Sequence, residues 1–407
     1  MRIIYVHQYF LTPEEGGGVR SYHLAKGMVQ AGIEVEMITS HNKSDGELKI
    51  IEGVKVHYLP VPYDNSFDFI RRIRAFYLFV FKAKKLIQKL PPAQLLFITS
   101  TPLSTGLIGL WAKKKFGIPY IFEVRDLWPE APVQVGAVRN RFLRKVLYDL
   151  EAKIYQEAQK IVALSPGIKS YIQKTSPGSE VFLIPNFCDN EFFTPVSKKN
   201  SLGRPVGLNE NFTITYTGAL GKINALEEFL YLAFEAQNQS KDWQFILMGK
   251  GAKEKELKSL CSSLALNNVK FLQHGNKVKV REVLAASDMA YISFDHFPVL
   301  KTNSPNKFFD ALAMGLAIVI NQKGWIHDLV LKHRLGICYN ASDPEKTVQQ
   351  LELLAGDAQY LELTKKRSRE LALRNFSKES AIKNLLLVLE SETSTSKTIG
   401  WAYTPTA

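Results

Sequence analysis

Short apolar runs alternate with amphipathic stretches along most of the chain, as expected when strand and helix take turns. Runs at residues 3–7, 35–39, 54–59, 95–99, 120–124, 161–164 and 181–184 are apolar almost throughout and predict strands buried on both faces. Helical periodicity fills the gaps at residues 19–31, 67–90, 103–116, 142–158 and 166–174. The rhythm breaks near residue 190, where Pro195, a Ser-Lys-Lys-Asn-Ser run and Gly203-Arg204-Pro205 predict a linker over residues 191–211. It then resumes, with strands expected at residues 213–217, 244–248, 269–273, 289–293 and 317–320, and mostly helix from 345 to 389. The polar tail, residues 391–407, is expected to be disordered. The pattern predicts an α/β chain with two doubly wound layers, residues 1–190 and 212–375. The helix at 376–390 could pack back on the first of them.

Length agrees, because 407 residues exceed what one core holds and suit two domains of roughly 200. No apolar run reaches the roughly 18 residues of a spanning helix, and the N-terminus reads as a strand, not a signal peptide. Cys188, Cys261 and Cys338 lie far apart, with neither zinc spacing nor a disulfide framework, which suits a reducing cytoplasm. The net charge of +13 calls for an anionic partner: nucleic acid, a membrane surface or a phosphorylated substrate.

In doubly wound sheets ligands bind beyond the carboxyl ends of the strands, so the loops there are the places to look. Pro305-Asn306-Lys307 opens a short helix that carries Asp310 three residues on and ends at Met314-Gly315. A lysine in a first helical turn opposes the helix dipole, unless an anion binds against both. Gly218, Gly221 and Lys222 follow the strand at 213–217, and Gly249-Lys250-Gly251 follows the next. Glycines permit close backbone approach, and lysine supplies a point charge to phosphate. In the first domain Gly16-Gly17-Gly18 is either an anion loop or a plain turn. It is not the dinucleotide fingerprint, and no acid closes the second strand. Arg125-Asp126, after the strand at 120–124, is either an internal ion pair or a catalytic group. The histidines show no metal-ligand spacing, so no metal or other cofactor is expected.

In order and spacing, HQYFLTPEEGGGVRSYHLAKGMVQAG, EVRDLWPEAP, ALSPGI, IPNFCDNEFFTP, YTGALG, GKG and NKFFDALAMGLAIVI resemble a retaining glycosyltransferase of family 4. The branch most similar builds O-antigen and capsular polysaccharides with N-acetylfucosamine-type sugars. The resemblance implies the GT-B fold: two doubly wound Rossmann-like domains facing a central cleft, the first holding the acceptor and the second a UDP-sugar donor. Lys222 then matches the basic position at the donor diphosphate, and Asn306 and Lys307 the phosphate and sugar region. Asp310 matches the second acid of the E-x7-E motif, which holds the ribose, and Gly16 to Gly18 match a loop near diphosphate and acceptor. The first acid of that motif falls at Thr302 and is missing, which implies an N-acetylated amino or deoxy sugar. The family's catalytic His-Asp pair reads Arg125-Asp126 here. The alternatives are a non-hydrolysing UDP-sugar epimerase of the same plan, or a basic non-enzymatic nucleic-acid-binding protein. The second needs a known module or interleaved basic and aromatic residues, and neither occurs, so no nucleic acid is expected.

The helix at 67–90 is amphipathic in an unusual way. Arg71, Arg74, Lys82, Lys85 and Lys89 form one stripe, with Phe69, Ile73, Phe76, Tyr77, Val80, Ala83 and Ile87 opposite. A lipid-linked saccharide acceptor lies in an anionic leaflet, so the stripe is expected to dock peripherally on the cytoplasmic face of the cell membrane.

Overall fold

The computed structural model describes residues 1–64, 67–196, 208 and 210–391. They form two compact units. The first holds Met1–Thr12, Gly18–Pro185 and the chain from Glu379 on; the second holds Pro13–Gly17 and Asn186–Lys378.

The first unit is built on eight strands: β1 (Arg2–Val6), β2 (Glu34–His41), β3 (Glu47–Ile51), β4 (Val54–Pro60), β5 (Leu95–Thr99), β6 (Tyr120–Val124), β7 (Lys160–Ala163) and β8 (Val181–Leu183). Their order is β3-β4-β2-β1-β5-β6-β7-β8, all parallel except β3, which runs antiparallel to β4. Helices α1 (Arg20–Gln30), α2 (Phe69–Ile87), α3 (Gly106–Phe116), α4 (Glu130–Gln134), α5 (Arg141–Glu157) and α6 (Pro166–Thr175) connect them. Strand β3 was not expected: Leu48 and Ile50 are 59% and 74% exposed, so it has no buried apolar face to give it away. The last helix, α14 (Lys378–Glu390), belongs almost entirely to this unit. Lys160 Nζ donates to the carbonyl of Val388 (2.7 Å), and Ile382 fills the space that a side chain on Gly27 would occupy.

The second unit has six parallel strands: β9 (Phe212–Thr217), β10 (Trp243–Gly249), β11 (Val269–Gln273), β12 (Met289–Ile292), β13 (Ala317–Ile320) and β14 (Gly336–Cys338), in the order β11-β10-β9-β12-β13-β14. Its helices are α7 (Leu226–Asn238), α8 (Glu254–Ser263), α9 (Lys277–Ala285), α10 (Asn306–Ala313), α11 (Trp325–Lys332), α12 (Pro344–Gly356) and α13 (Ala358–Asn375). Strand β14 escaped the sequence because it is three residues long and half-buried; only its pairing with β13 defines it.

The division falls after Pro185, a few residues before the expected boundary at 190. Asn186 is already held in the second unit, its Nδ2 donating to the Ser304 carbonyl at 2.5 Å, and the Cys188 N–H donates to the Phe376 carbonyl at 2.7 Å. Most of the expected linker, residues 197–207 and 209, and the tail from 392 lie outside the described residues.

The first unit is tied together by a buried ion pair. Arg20, at the start of α1, donates through Nε to Glu123 Oε1 on β6 (2.9 Å), and through its other nitrogens to the carbonyls of Pro185 and Ile184 (2.6 and 2.9 Å). Thr99 on β5 donates to the other Glu123 oxygen at 3.0 Å. Arg20 is 2% exposed and Glu123 wholly buried, so neither charge has water to fall back on. Removing one partner of such a pair costs about 3–5 kcal/mol, because the other is left buried and alone. Glu123→Ala is therefore expected to lower stability by that order, read in urea unfolding followed by circular dichroism. A loss near that of a surface substitution would show that the pair is not holding the sheet.

Candidate functional site

In the second sheet the connections from β9 leave toward β10 on one side and, later, β12 arrives on the other. The crevice beyond the carboxyl ends of β9 and β12 is thus the switch point, where doubly wound sheets take ligands. Lys307, in the first turn of α10, sends its ammonium there. Nζ donates to Tyr216 Oη (3.1 Å) and the Ser293 carbonyl (3.3 Å), and lies 3.5 Å from Asn224 Oδ1. It sits 4.3 Å from the ring centre of Tyr216 and 4.8 Å from that of Phe294. Among the described residues it has no carboxylate partner, and burial pushes its pKa down to about 7. Dipoles and rings hold this cation; an anion would complete it. Asn306 is the first residue of the same helix, whose N-terminus has no side-chain cap.

Asp310 was expected on the Lys307 face, three residues on. Its charge goes elsewhere: Oδ2 pairs with Lys277 Nζ at 2.6 Å, both side chains being largely buried. Burial raises the Asp310 pKa, and Lys277 works against that rise. Lys277 opens α9, behind the Asn276 cap, and its ammonium lies 5.2 Å from the Phe193 ring centre. Gly16, at φ +80°, packs on the Asn276 backbone, the distance to Cα being 3.6 Å from where a Cβ would stand. The glycine loop's first two residues, Gly16 and Gly17, thus belong to the second unit, whereas Gly18 begins the rest of the first. Sequence reasoning missed Lys277, although His274-Gly275-Asn276-Lys277 after β11 repeats the glycine-plus-lysine signal used for the neighbouring loops.

Lys222 stands exposed on a 3-10 turn, Lys222–Asn224, and Lys250 is exposed after β10. The glycines around them approach each other's loop. Gly218 N–H donates to the Met248 carbonyl (3.0 Å) and Leu220 N–H to the Lys250 carbonyl (2.9 Å). A Cβ on Gly249 would overlap the Gly218 carbonyl oxygen, one on Gly251 the Leu220 backbone, and one on Gly221 would press Asn224 Nδ2 at 3.3 Å. These glycines let two loops lie backbone on backbone, which positions the turn that carries Lys222 and Asn224.

In the first unit the switch point lies between β1 and β5. Arg125 and Asp126 do not pair with each other, so the expectation of an internal ion pair there is not met; the buried pair is Arg20–Glu123 instead. Arg125 Nη1 faces His7 Nε2 at 3.3 Å, and its backbone N–H donates to Ser100 Oγ at 3.1 Å. Since a guanidinium only donates, His7 Nε2 accepts and Nδ1 carries the proton. Burial, then Arg125, holds the His7 pKa well below its usual value, so the ring is neutral. His7 Nδ1 and both ends of the Gln8 amide are buried without a protein partner. Burial raises the Asp126 pKa, opposed by Arg125. Neither His7 nor Gln8 was singled out, because a lone histidine on a strand end carries no spacing signal.

Helix α2 is rolled relative to expectation. Arg71, Arg74, Lys85 and Lys89 are exposed, but Lys82 turns inward and donates to the Pro60 carbonyl at 2.7 Å. Tyr77 and Phe81, 60% and 55% exposed, join the basic face together with Ile70 and Leu78. Val80, Ala83 and Ile87 are buried as expected, and Ala75 and Phe79 are buried with them. The expected separation of basic from aromatic residues is lost. Among the described residues no helix is long and apolar enough to cross a membrane, and no group of three His, Cys, Asp or Glu could hold a metal.

Residues 15–186 match the Glycosyl transferase 4-like domain, and residues 211–357 match Glycosyl transferases group 1. A putative teichuronic acid biosynthesis glycosyltransferase, TuaH of Bacillus subtilis, is 25% identical over 202 residues, covering 49% of each chain. The chain thus spans about half the length of that curated relative. Sucrose-phosphate synthase of Thermosynechococcus elongatus has the same fold, with a TM-score of 0.77 at 16% identity over 95% of this chain and 98% of that one. HepE of Anabaena, solved with UDP-glucose, gives 0.70 at 15% over 96% and 99%. The fold is therefore GT-B, two Rossmann-like domains with parallel sheets.

Lys307 gives this site a pH signature. Its folded pKa lies below that of a free lysine, so between about pH 7 and roughly 10.4 this residue binds more proton in the unfolded chain and its own contribution to stability rises with pH. Lys307→Met is expected to stabilise the ligand-free protein, most below about pH 7, with the gain fading as pH climbs toward 10. Thermal unfolding of both proteins across that range measures it. A pH-independent difference would mean that the ammonium is well solvated.

Proposed function

We propose that this chain, with its two glycosyltransferase domains, moves a sugar from a UDP-sugar onto a lipid-linked saccharide during surface polysaccharide (O-antigen or capsule) synthesis. The observation that carries this is Lys307: a cation at the switch point of the second sheet, beside an uncapped helix start and with no carboxylate partner. A diphosphate fits it on charge and on geometry. In this reading Lys222 approaches the diphosphate from the opposite loop. Lys277 holds Asp310 through Oδ2, leaving Oδ1 to accept from the ribose hydroxyls. Thr302, where an acid would meet the sugar, donates its hydroxyl to the Val299 carbonyl at 2.7 Å, which favours an N-acetylated amino or deoxy sugar over glucose.

On the first unit, Asp126 and Arg125 serve the acceptor, with neutral His7 fixing the guanidinium. The anomeric bond to the diphosphate breaks and a bond to the acceptor oxygen forms on the same face, so configuration is retained. The acceptor's proton passes to the leaving phosphate oxygen. Lysine charge and helix N–H groups stabilise that oxygen as it gains charge, without a metal. UDP release on mixing UDP-sugars with a lipid-linked saccharide tests the activity. Each charge-assisted contact is worth about 1.5–3 kcal/mol, so Lys307→Gln and Asp310→Ala should each weaken UDP binding in calorimetry by tenfold or more. Unchanged UDP affinity in both variants would sink the donor assignment.

The exposed face of α2 supports peripheral docking on the cytoplasmic leaflet, since basic side chains and the rings of Tyr77 and Phe81 now share one surface. Each basic residue near an anionic leaflet contributes about 1 kcal/mol, so reversing Arg71, Arg74 and Lys85 to Glu should cut binding to anionic vesicles about a hundredfold or more. Lys82→Gln should leave vesicle sedimentation unchanged, because that lysine faces Pro60. Equal loss from both variants would place the contact elsewhere.

A further inference from the structure

Between β12 and the 3-10 turn Pro298–Thr302 the chain runs without regular structure through residues 293–297. This loop supplies two of the groups around Lys307. The Ser293 carbonyl accepts from Nζ at 3.3 Å, and the Phe294 ring centre lies 4.8 Å away. One residue on, the Asp295 N–H donates to the Ile223 carbonyl at 2.8 Å, in the turn that carries Lys222 and Asn224. A loop has no ladder to hold it, so its backbone groups must find other partners.

Here the other partners are mostly side chains. Asn321, directly after β13 and 8% exposed, pairs with Phe294 through its side-chain amide. Its Oδ1 accepts from the Phe294 N–H at 3.0 Å, and its Nδ2 donates to the Phe294 carbonyl at 2.9 Å. Nδ2 also donates to Glu228 Oε2 at 2.8 Å. Turned over, the amide would set its NH2 against an N–H and its oxygen against a carbonyl and a carboxylate, so one orientation is fixed. Glu228, in the first turn of α7 and largely buried, meets His296 Nε2 with its other oxygen at 2.6 Å. Gln322 donates to the Asp295 and Phe297 carbonyls at 2.6 and 3.4 Å. Residues 294–297 are thereby fastened from α7 and from the end of β13. A binding side chain stays within about 0.5 Å of its productive place only when the groups around it are themselves held by such bonds.

We propose, resting on the donor reading given above, that Asn321 and Glu228 are positioning residues for the nucleotide diphosphate. They act through Lys307 and not on the ligand itself. Asn321 fixes the Phe294 backbone, Glu228 fixes Asn321 and His296, and the loop so held keeps the Ser293 carbonyl and the Phe294 ring beneath the ammonium. The ammonium is thereby aimed before the diphosphate arrives.

Calorimetry with UDP on the full chain tests this as a double-mutant cycle with Lys307. Asn321→Leu should weaken UDP binding about tenfold in the wild-type background, but less than about twofold in Lys307→Gln, where the cation it positions is gone. A role in stability alone predicts otherwise, since its loss would be the same in both backgrounds. Glu228→Ala should cost about fivefold, whereas Glu228→Gln, which keeps an oxygen for Asn321, should stay within about twofold of wild type. Urea unfolding followed by circular dichroism checks that each variant is folded at the assay temperature. If Asn321→Leu is not, the cycle is run with Glu228→Ala. Equal losses in the two backgrounds overturn the proposal, as does wild-type UDP affinity in both Asn321→Leu and Glu228→Ala. If wild type binds no UDP, or Lys307→Gln binds it as well as wild type, the donor reading falls and the positioning role with it.

Discussion

Lys307 is a cation placed where the protein gives it no opposite charge. Tyr216, Asn224 and the Ser293 carbonyl hold it by dipoles, and the rings of Tyr216 and Phe294 cover it. That arrangement opposes the folded state of the empty protein, because burial favours the neutral amine. It persists because strands β9 and β12, helix α10 and the turn at Asn224 determine every neighbour of the ammonium. A lysine whose pKa is shifted by burial in a cleft is a candidate functional group. The elements around it act as the scaffold for this uncompensated charge.

Asp310 and Arg20 are treated differently. Asp310 is neutralised by Lys277, and Arg20 by Glu123 with two carbonyls added. Those pairs set elements in place: α9 against α10 in one unit, α1 against β6 in the other. The glycine loops serve the same end by a different means. Gly218, Gly249 and Gly251 remove side chains so that two loops can share hydrogen bonds directly. Their positioning role is physical and local, and it keeps Asn224 within reach of Lys307.

Helix α2 shows what packing decides after periodicity has spoken. A helical wheel separates its basic and aromatic residues, but in the fold Ala75 and Phe79 are buried beside Val80, Ala83 and Ile87, and Lys82 reaches the Pro60 carbonyl. The helix rolls, and Tyr77 and Phe81 come out among arginines and lysines. A surface that pairs rings with cations suits an interface of headgroups better than a purely basic stripe would.

The sequence by itself determined the two doubly wound layers, most strand positions, and the loops in which to look for chemistry. Apolar runs of strand length report burial on both faces, and glycine-plus-lysine turns after them report the strand ends. Strands β3 and β14 were illegible because an exposed edge and a three-residue pairing carry no periodicity. Tertiary structure alone decided which charges meet. Lys277 finds Asp310 across 33 residues, and Arg20 finds Glu123 across 103. Spacing along a chain encodes the face of an element; it does not encode which face of another element lies opposite. That depends on the packing of the whole layer, and so does the solitude of Lys307.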